Sequence, residues 1–204
     1  MFPGPRLRLA ACTALVVPAA WPAAASACAC CASPGTWLQE TARIAPFERA
    51  ELRRLRFGPV ATTYVTEAGP SVIRGINPVA ARYALSVTRL ASGWTLRFRD
   101  AKGNRGTLTL RLPAQASKLA VDPKDRRSPG GGPLLYRAWR LESPIVGTGV
   151  FARGLTGGAR YRLLLQGRGN ACMNAQDFKH WVLQVSGSSA SFALHGAFAP
   201  PTAA

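Results

Sequence analysis

The sequence predicts an all-β protein: an antiparallel β-sandwich or barrel of roughly 8–10 short strands with one short N-terminal helix at about residues 46–57. Three observations carry this. Beyond Gly58 the chain is a succession of short apolar runs separated by Gly, Pro and Asn turns, as many short strands require. The stretch Trp94 to Leu112 alternates with a period of two. Trp94, Leu96 and Phe98 stand against Thr95, Arg97 and Arg99, and Leu108, Leu110 and Leu112 against Thr107, Thr109 and Arg111, across a turn from Asp100 to Gly106. That is an antiparallel hairpin with one buried and one solvated face. Finally, strands do not alternate with helices, which argues against a parallel α/β sheet, and no segment repeats at a fixed period.

Taken in order, the chain opens on Arg6 and Arg8, an uncharged run Leu9–Val17, breaks at Pro18 and Pro22, and small residues Ala25-Ser26-Ala27. This order predicts a secretory signal peptide over residues 1–27, with a mature chain starting at Cys28. The competing readings are an uncleaved anchor, for which the alanine- and proline-rich run is weakly apolar, and a lipoprotein acylated at Cys28. Ala25 stands where the lipoprotein pattern prefers leucine. Leu9-Ala10-Ala11-Cys12 fits that pattern but follows Arg8 too closely to leave an apolar segment ahead of it. The expectation is an exported protein, periplasmic or secreted, with residues 28–204 forming one β-rich domain.

Pro46 suits a first helical position. Glu48 and Glu51 load the first turns, Arg53, Arg54 and Arg56 the last, and Gly58-Pro59 stops the helix. Phe47, Ala50, Leu52 and Leu55 form its narrow apolar side. Strand runs follow at Val60–Glu67, Tyr83–Leu90, the hairpin, Leu134–Leu141, Thr148–Arg153, Arg160–Gln166, His180–Ser186 and Ser191–Phe198. Asp122 to Pro133 reads as a mobile surface loop. Gly167-Arg168-Gly169-Asn170 lacks the lysine of a phosphate loop and reads as a tight turn that presents Cys172.

The cysteines carry the candidate chemistry. After signal removal they are Cys28, Cys30, Cys31 and Cys172. An even number in an exported chain predicts disulfides. Adjacent Cys30 and Cys31 would strain a mutual bond, so one of the three N-terminal cysteines is expected to reach Cys172. The alternative is a soft-metal site for copper or zinc built from Cys28, Cys30, Cys31 and Cys172, with Met173, Asp177 and His180 close by in sequence. The spacing matches no zinc pattern, and Met173 in an extended segment points away from Cys172. A third reading is a thiol-disulfide oxidoreductase using Cys28-x-x-Cys31, a motif that lacks its usual βαβ context here. No catalytic residue is assigned. His180 and His195 fall on outward strand positions, Asp177 is the one acid near His180, and no nucleophile or carboxylate pair is visible.

The chain holds 26 Lys and Arg against 9 Asp and Glu; without Arg6 and Arg8 the mature balance is +15 (24 basic, 9 acidic). Such a surface is compatible with anionic lipid headgroups, acidic polysaccharide or extracellular nucleic acid, although no specific nucleic-acid motif is present. The arginine, alanine and proline richness also fits a compositional bias. Arg97, Arg99 and Arg111 share the solvated face of the hairpin.

Gly35-Thr36-Trp37, with Phe47-Glu48-Arg49 ten residues on, is similar to the start of bacterial lipocalins over about fifteen residues. The resemblance implies a β-barrel that carries a hydrophobic ligand. The chain departs from that family after Trp37, where the residues read as helical, and no later lipocalin motif follows. The most direct expectation is an exported, non-enzymatic binding or structural β-domain.

Overall fold

The computed structural model describes residues 31–64, 73–129, 131–170 and 172–200. The predicted signal peptide, Cys28 and Cys30 lie outside the described residues. Ten strands and one α-helix follow one another: β1 (Trp37–Arg43), α1 (Pro46–Arg54), β2 (Val60–Thr63), β3 (Arg82–Leu90), β4 (Gly93–Arg99), β5 (Arg105–Arg111), β6 (Gln115–Val121), β7 (Leu135–Gly149), β8 (Arg160–Gly169), β9 (Phe178–Ser186) and β10 (Ser191–Ala197). Every pairing is antiparallel. The order β7-β5-β4-β3-β2-β10-β9-β8 closes because β8 also pairs with β7, giving an eight-stranded barrel of up-and-down connectivity. β1 and β6 extend it as a flap on the first half of β7.

The barrel is filled by its own side chains. Trp94, Leu96 and Phe98 of β4, Leu108 and Leu110 of β5, Tyr161, Leu163 and Leu165 of β8, and Trp181 and Leu183 of β9 are all buried in one cluster. An eight-stranded barrel is just wide enough for such filling. The space in which a barrel carrier would hold a hydrophobic ligand is therefore occupied by aromatic and leucine side chains. The closed barrel agrees with the resemblance read in the sequence; the packed interior departs from the carrier function that resemblance implies.

α1 covers one end. Leu52 and Leu55 are buried, each adding about 1.5–3 kcal/mol of hydrophobic burial. The helix ends at Arg54, shorter than expected, because the Leu55 N–H already bonds back to the Leu52 carbonyl and the backbone turns extended there. Its buried side keeps Leu52 and Leu55 of the predicted set and adds Glu48, whereas Phe47 is 58% exposed. Phe57, just beyond the helix, meets Trp94, Trp181 and Phe198 edge-on at centroid distances of 5.7, 5.5 and 5.1 Å. That aromatic knot fastens the helix to the barrel end.

Four segments differ from the sequence reading. Gln115–Val121, for which no strand was expected, is β6. The residues after Trp37 form β1, an edge strand, rather than the start of a helical region. Leu134–Leu141 and Thr148–Arg153 are not two strands. β7 runs unbroken from Leu135 to Gly149, and Ala152–Leu155 is a 3-10 turn. Gly167 to Gly169 belong to β8, and only Asn170 onward forms the loop to β9.

Candidate functional site

The loop that carries Cys172 joins β8 to β9 at the helix-capped end of the barrel. It is tied down at each side. Asn170 Oδ1 accepts a hydrogen bond from the Ala32 N–H at 2.6 Å. The Cys172 carbonyl accepts one from Arg137 Nη1. The Ala175 N–H donates to Glu51 Oε2 of α1 at 2.9 Å. Asn174 Oδ1 accepts from the Gln176 N–H at 3.0 Å and starts the 3-10 turn Ala175–Asp177. Met173 is buried in the main core and Cys172 is half-buried, so the two neighbours point apart, as an extended segment dictates.

Beneath this loop lies a buried ionic network. Arg137, on β7, is 4% exposed, and its Nη1 lies 3.0 Å from Asp177 Oδ2. Burial pushes the Arg137 guanidinium below its ordinary value and the Asp177 carboxyl above its own, against the attraction each exerts on the other. Desolvation outweighs pairing, as expected for ions withdrawn from water. Next to it Glu48 of α1, also buried, accepts Lys118 Nζ at 2.7 Å and the Ala45 N–H at 2.9 Å. Lys118 sits over the Trp139 ring at 4.8 Å, directly across the β6–β7 ladder from it. Charge, cation–π contact and helix N-terminus thus converge on one point.

Two glycines make room for the network. A Cβ on Gly169 would lie 1.9 Å from Asp177 Oδ2, and one on Gly167 would lie 1.9 Å from the Asp177 carbonyl oxygen. The glycines serve close approach within a strand, not a turn. The β8–β9 ladder shifts register between Gln166 and Gly167, which lets Asp177 lie over the strand end.

The N-terminal segment meets the loop from the other side. Ala32 is buried with Ala120 and Leu135, and the Gly35 N–H donates to Asp122 Oδ2 at 2.9 Å. The chain leaving exposed Cys31 therefore runs beside Asn170, two residues from Cys172.

Of the predicted site residues, Cys31 and Cys172 are described and fall in this one region; Cys28 and Cys30 lie outside the described residues. Among the described residues no group of three or more His, Cys, Asp or Glu side chains is placed to hold a metal ion. Asp177 does not orient His180: it turns inward to Arg137, while His180 is exposed on β9. Arg137, Glu48 and Lys118 were not picked out from sequence. For Arg137 a signal exists, since it is in phase with Leu135, Trp139 and Leu141 on the inward side of β7. Gly167 and Gly169 are likewise in phase with Leu163 and Leu165.

No protein-family model, curated protein or solved structure matches the chain.

Proposed function

We propose that this is an exported, non-enzymatic β-barrel that works by binding or as a structural element, with its N-terminal cysteines disulfide-linked to Cys172. The observation that carries the proposal is the Ala32–Asn170 hydrogen bond. It brings the segment that follows the cysteine cluster alongside the Cys172 loop. Two further features support it. The loop is immobilised by bonds to α1, β7 and the N-terminal segment, which suits a tether more than a reactive thiol that must meet substrates. The filled barrel leaves recognition to the outer surface. Export accounts for the cysteine usage, because disulfides persist in oxidising compartments.

Intact-mass spectrometry of protein from its native host, with and without reduction and alkylation, tests this. The expected result is a chain beginning at Cys28, with or without acyl mass, that takes up alkyl groups only after reduction. A chain starting well before Cys28 with every thiol alkylated directly would overturn it. The same approach of the Cys31 segment to the Cys172 loop supports a second reading, a copper or zinc site formed by Cys28, Cys30, Cys31 and Cys172. Metal retained at a fixed ratio and lost in Cys172→Ser would favour that reading over the disulfide.

A further inference from the structure

The outer wall formed by β3, β4 and β5 carries arginine and no acid. Strand register puts Ala84, Arg99 and Arg105 in one row, and Ser86, Arg97, Thr107 and Thr148 in the next. Adjacent strands are about 4.8 Å apart, and alternate residues about 6.7 Å along a strand. Three guanidinium groups are thus anchored on a rigid surface at a spacing set by the sheet. None of Arg97, Arg99 and Arg105 forms an ion pair among the described residues. The nearest acid in sequence, Asp100, is turned inward and committed to Asn104, whose backbone N–H and side-chain Nδ2 it accepts at 2.8 Å each. Arg99 stands directly opposite Arg105, an arrangement of like charges that costs stability unless an anion lies between them.

The floor around these arginines is hydroxyl-rich. Arg97 donates to the Thr88 hydroxyl, and Thr107 and Thr148 bond each other at 2.7 Å. A shallow depression of about 490 Å³ lies over Ser86, Arg97, Arg99, Arg105, Thr107 and Thr148.

We propose that this depression binds the carboxylate or sulfate groups of a linear acidic polysaccharide. Arginine forks match the two oxygens of such groups, and serine and threonine hydroxyls suit sugar hydroxyls. A polymer with charges repeated along a stiff chain fits a two-row array better than a single small anion does. No exposed aromatic side chain lies in the depression to stack a nucleic-acid base. It also lacks the exposed apolar side chains with which a protein enters a lipid interface. The proposal names the ligand class of the binding protein inferred above and rests on that reading.

The test titrates the full mature protein with polygalacturonate and, separately, dextran sulfate, with neutral dextran as the blank. The variant Arg97→Ser/Arg99→Ser/Arg105→Ser is compared with Arg43→Ser/Arg53→Ser/Arg153→Ser, which removes the same charge from exposed positions outside the wall. The expected result is binding to one or both polymers, weakened at least tenfold in the wall variant and less than about twofold in the control. Equal weakening in both would overturn the proposal, since net charge alone would then explain binding. So would no binding at all, or wall-dependent binding to phosphatidylglycerol vesicles or single-stranded DNA in preference to the polysaccharides. Should the triple variant fail to fold, Arg105→Gln alone is decisive: it should melt higher than the parent without polymer and gain less when polymer is added. The mass measurement reports the cysteine linkage independently. Loss of polymer binding with the linkage intact removes only the ligand assignment, and intact polymer binding with free thiols removes only the linkage.

Discussion

Arg137 shows how much one residue can commit this structure to. It is nearly inaccessible, and the groups that accept its hydrogen bonds come from elsewhere: the Asp177 carboxylate from the end of a 3-10 turn, and the Cys172 carbonyl from the loop before it. Removing one member of such a pair leaves a charge buried without compensation. Arg137→Ala is expected to lose about 3–5 kcal/mol of unfolding free energy in urea titration. Arg137→Met fills the same space without a charge and should lose much less once Asp177 is also changed to Asn. If Arg137→Ala unfolds at the parental midpoint, the network does not anchor the loop. The residue was legible in principle, as an arginine in phase with Leu135 and Trp139. Its partner was not: nothing in the spacing of Asp177 says that it turns away from His180, because that depends on room left by Gly167 and Gly169 in a neighbouring strand.

At the level of elements, what could be read depended on how one-sided each segment is. The hairpin β4–β5 has one wet and one buried face, so alternation alone located it. β1 is exposed along nearly its whole length, and β6 mixes small and polar residues. An edge flap buries too little to impose a pattern, and β propensity without burial is a weak signal. β7 contains Pro144 and Gly147, residues that weaken a strand pattern, between the two runs that the sequence shows. In the fold Pro144 falls between Arg140, the last residue paired with β6, and Ile145, the first residue paired with β5. A strand tolerates proline where one edge is unpaired. α1 was located correctly, and Leu52 and Leu55 were read on its buried side, but Phe47 was not placed correctly, since a salt bridge from β6 draws Glu48 inward in its place. Phe47 and Leu52 separate cleanly by mutation. Leu52→Ala should cost about 2–5 kcal/mol, whereas Phe47→Ala should stay within about 0.5 kcal/mol of the parent. Matched losses in the two variants, measured by thermal or chemical denaturation, would mean that the helix packs by the face the sequence suggested.

For the whole molecule, the few acids are set against a large excess of base, and most serve as ties between segments. Hydrogen bonds from Asn104 hold Asp100 below its ordinary value, and the Gly35 and Lys124 N–H groups do the same for Asp122. Arg168 lowers Asp125, and Arg162 lowers Glu142. A carboxylate depressed in the folded state contributes stability that is present above its unfolded value and lost as pH falls through its folded one. Asp177 works in the opposite sense. Burial raises it, so its contribution is present below the unfolded value and lost as pH rises through the folded one. Four depressed groups against one raised group predict a melting temperature that is level from neutral pH to about pH 5 and then falls below about pH 4. Mounting positive charge steepens the fall, because basic residues already outnumber acidic ones 26 to 9. Added salt should therefore recover part of the lost melting temperature in acid. The sign of the Asp177 term gives a sharper check. Asp177→Asn removes the one contribution that grows as pH drops, so its melting temperature should decline more steeply in acid than that of the parent. Asp125→Asn removes a depressed group, so its decline should be shallower. An Asp177→Asn variant with the shallower acid limb would show that burial does not dominate the Arg137–Asp177 pair, and a parental protein that melts higher at pH 3 than at pH 7 would show that the four depressed carboxylates do not govern the acid limb.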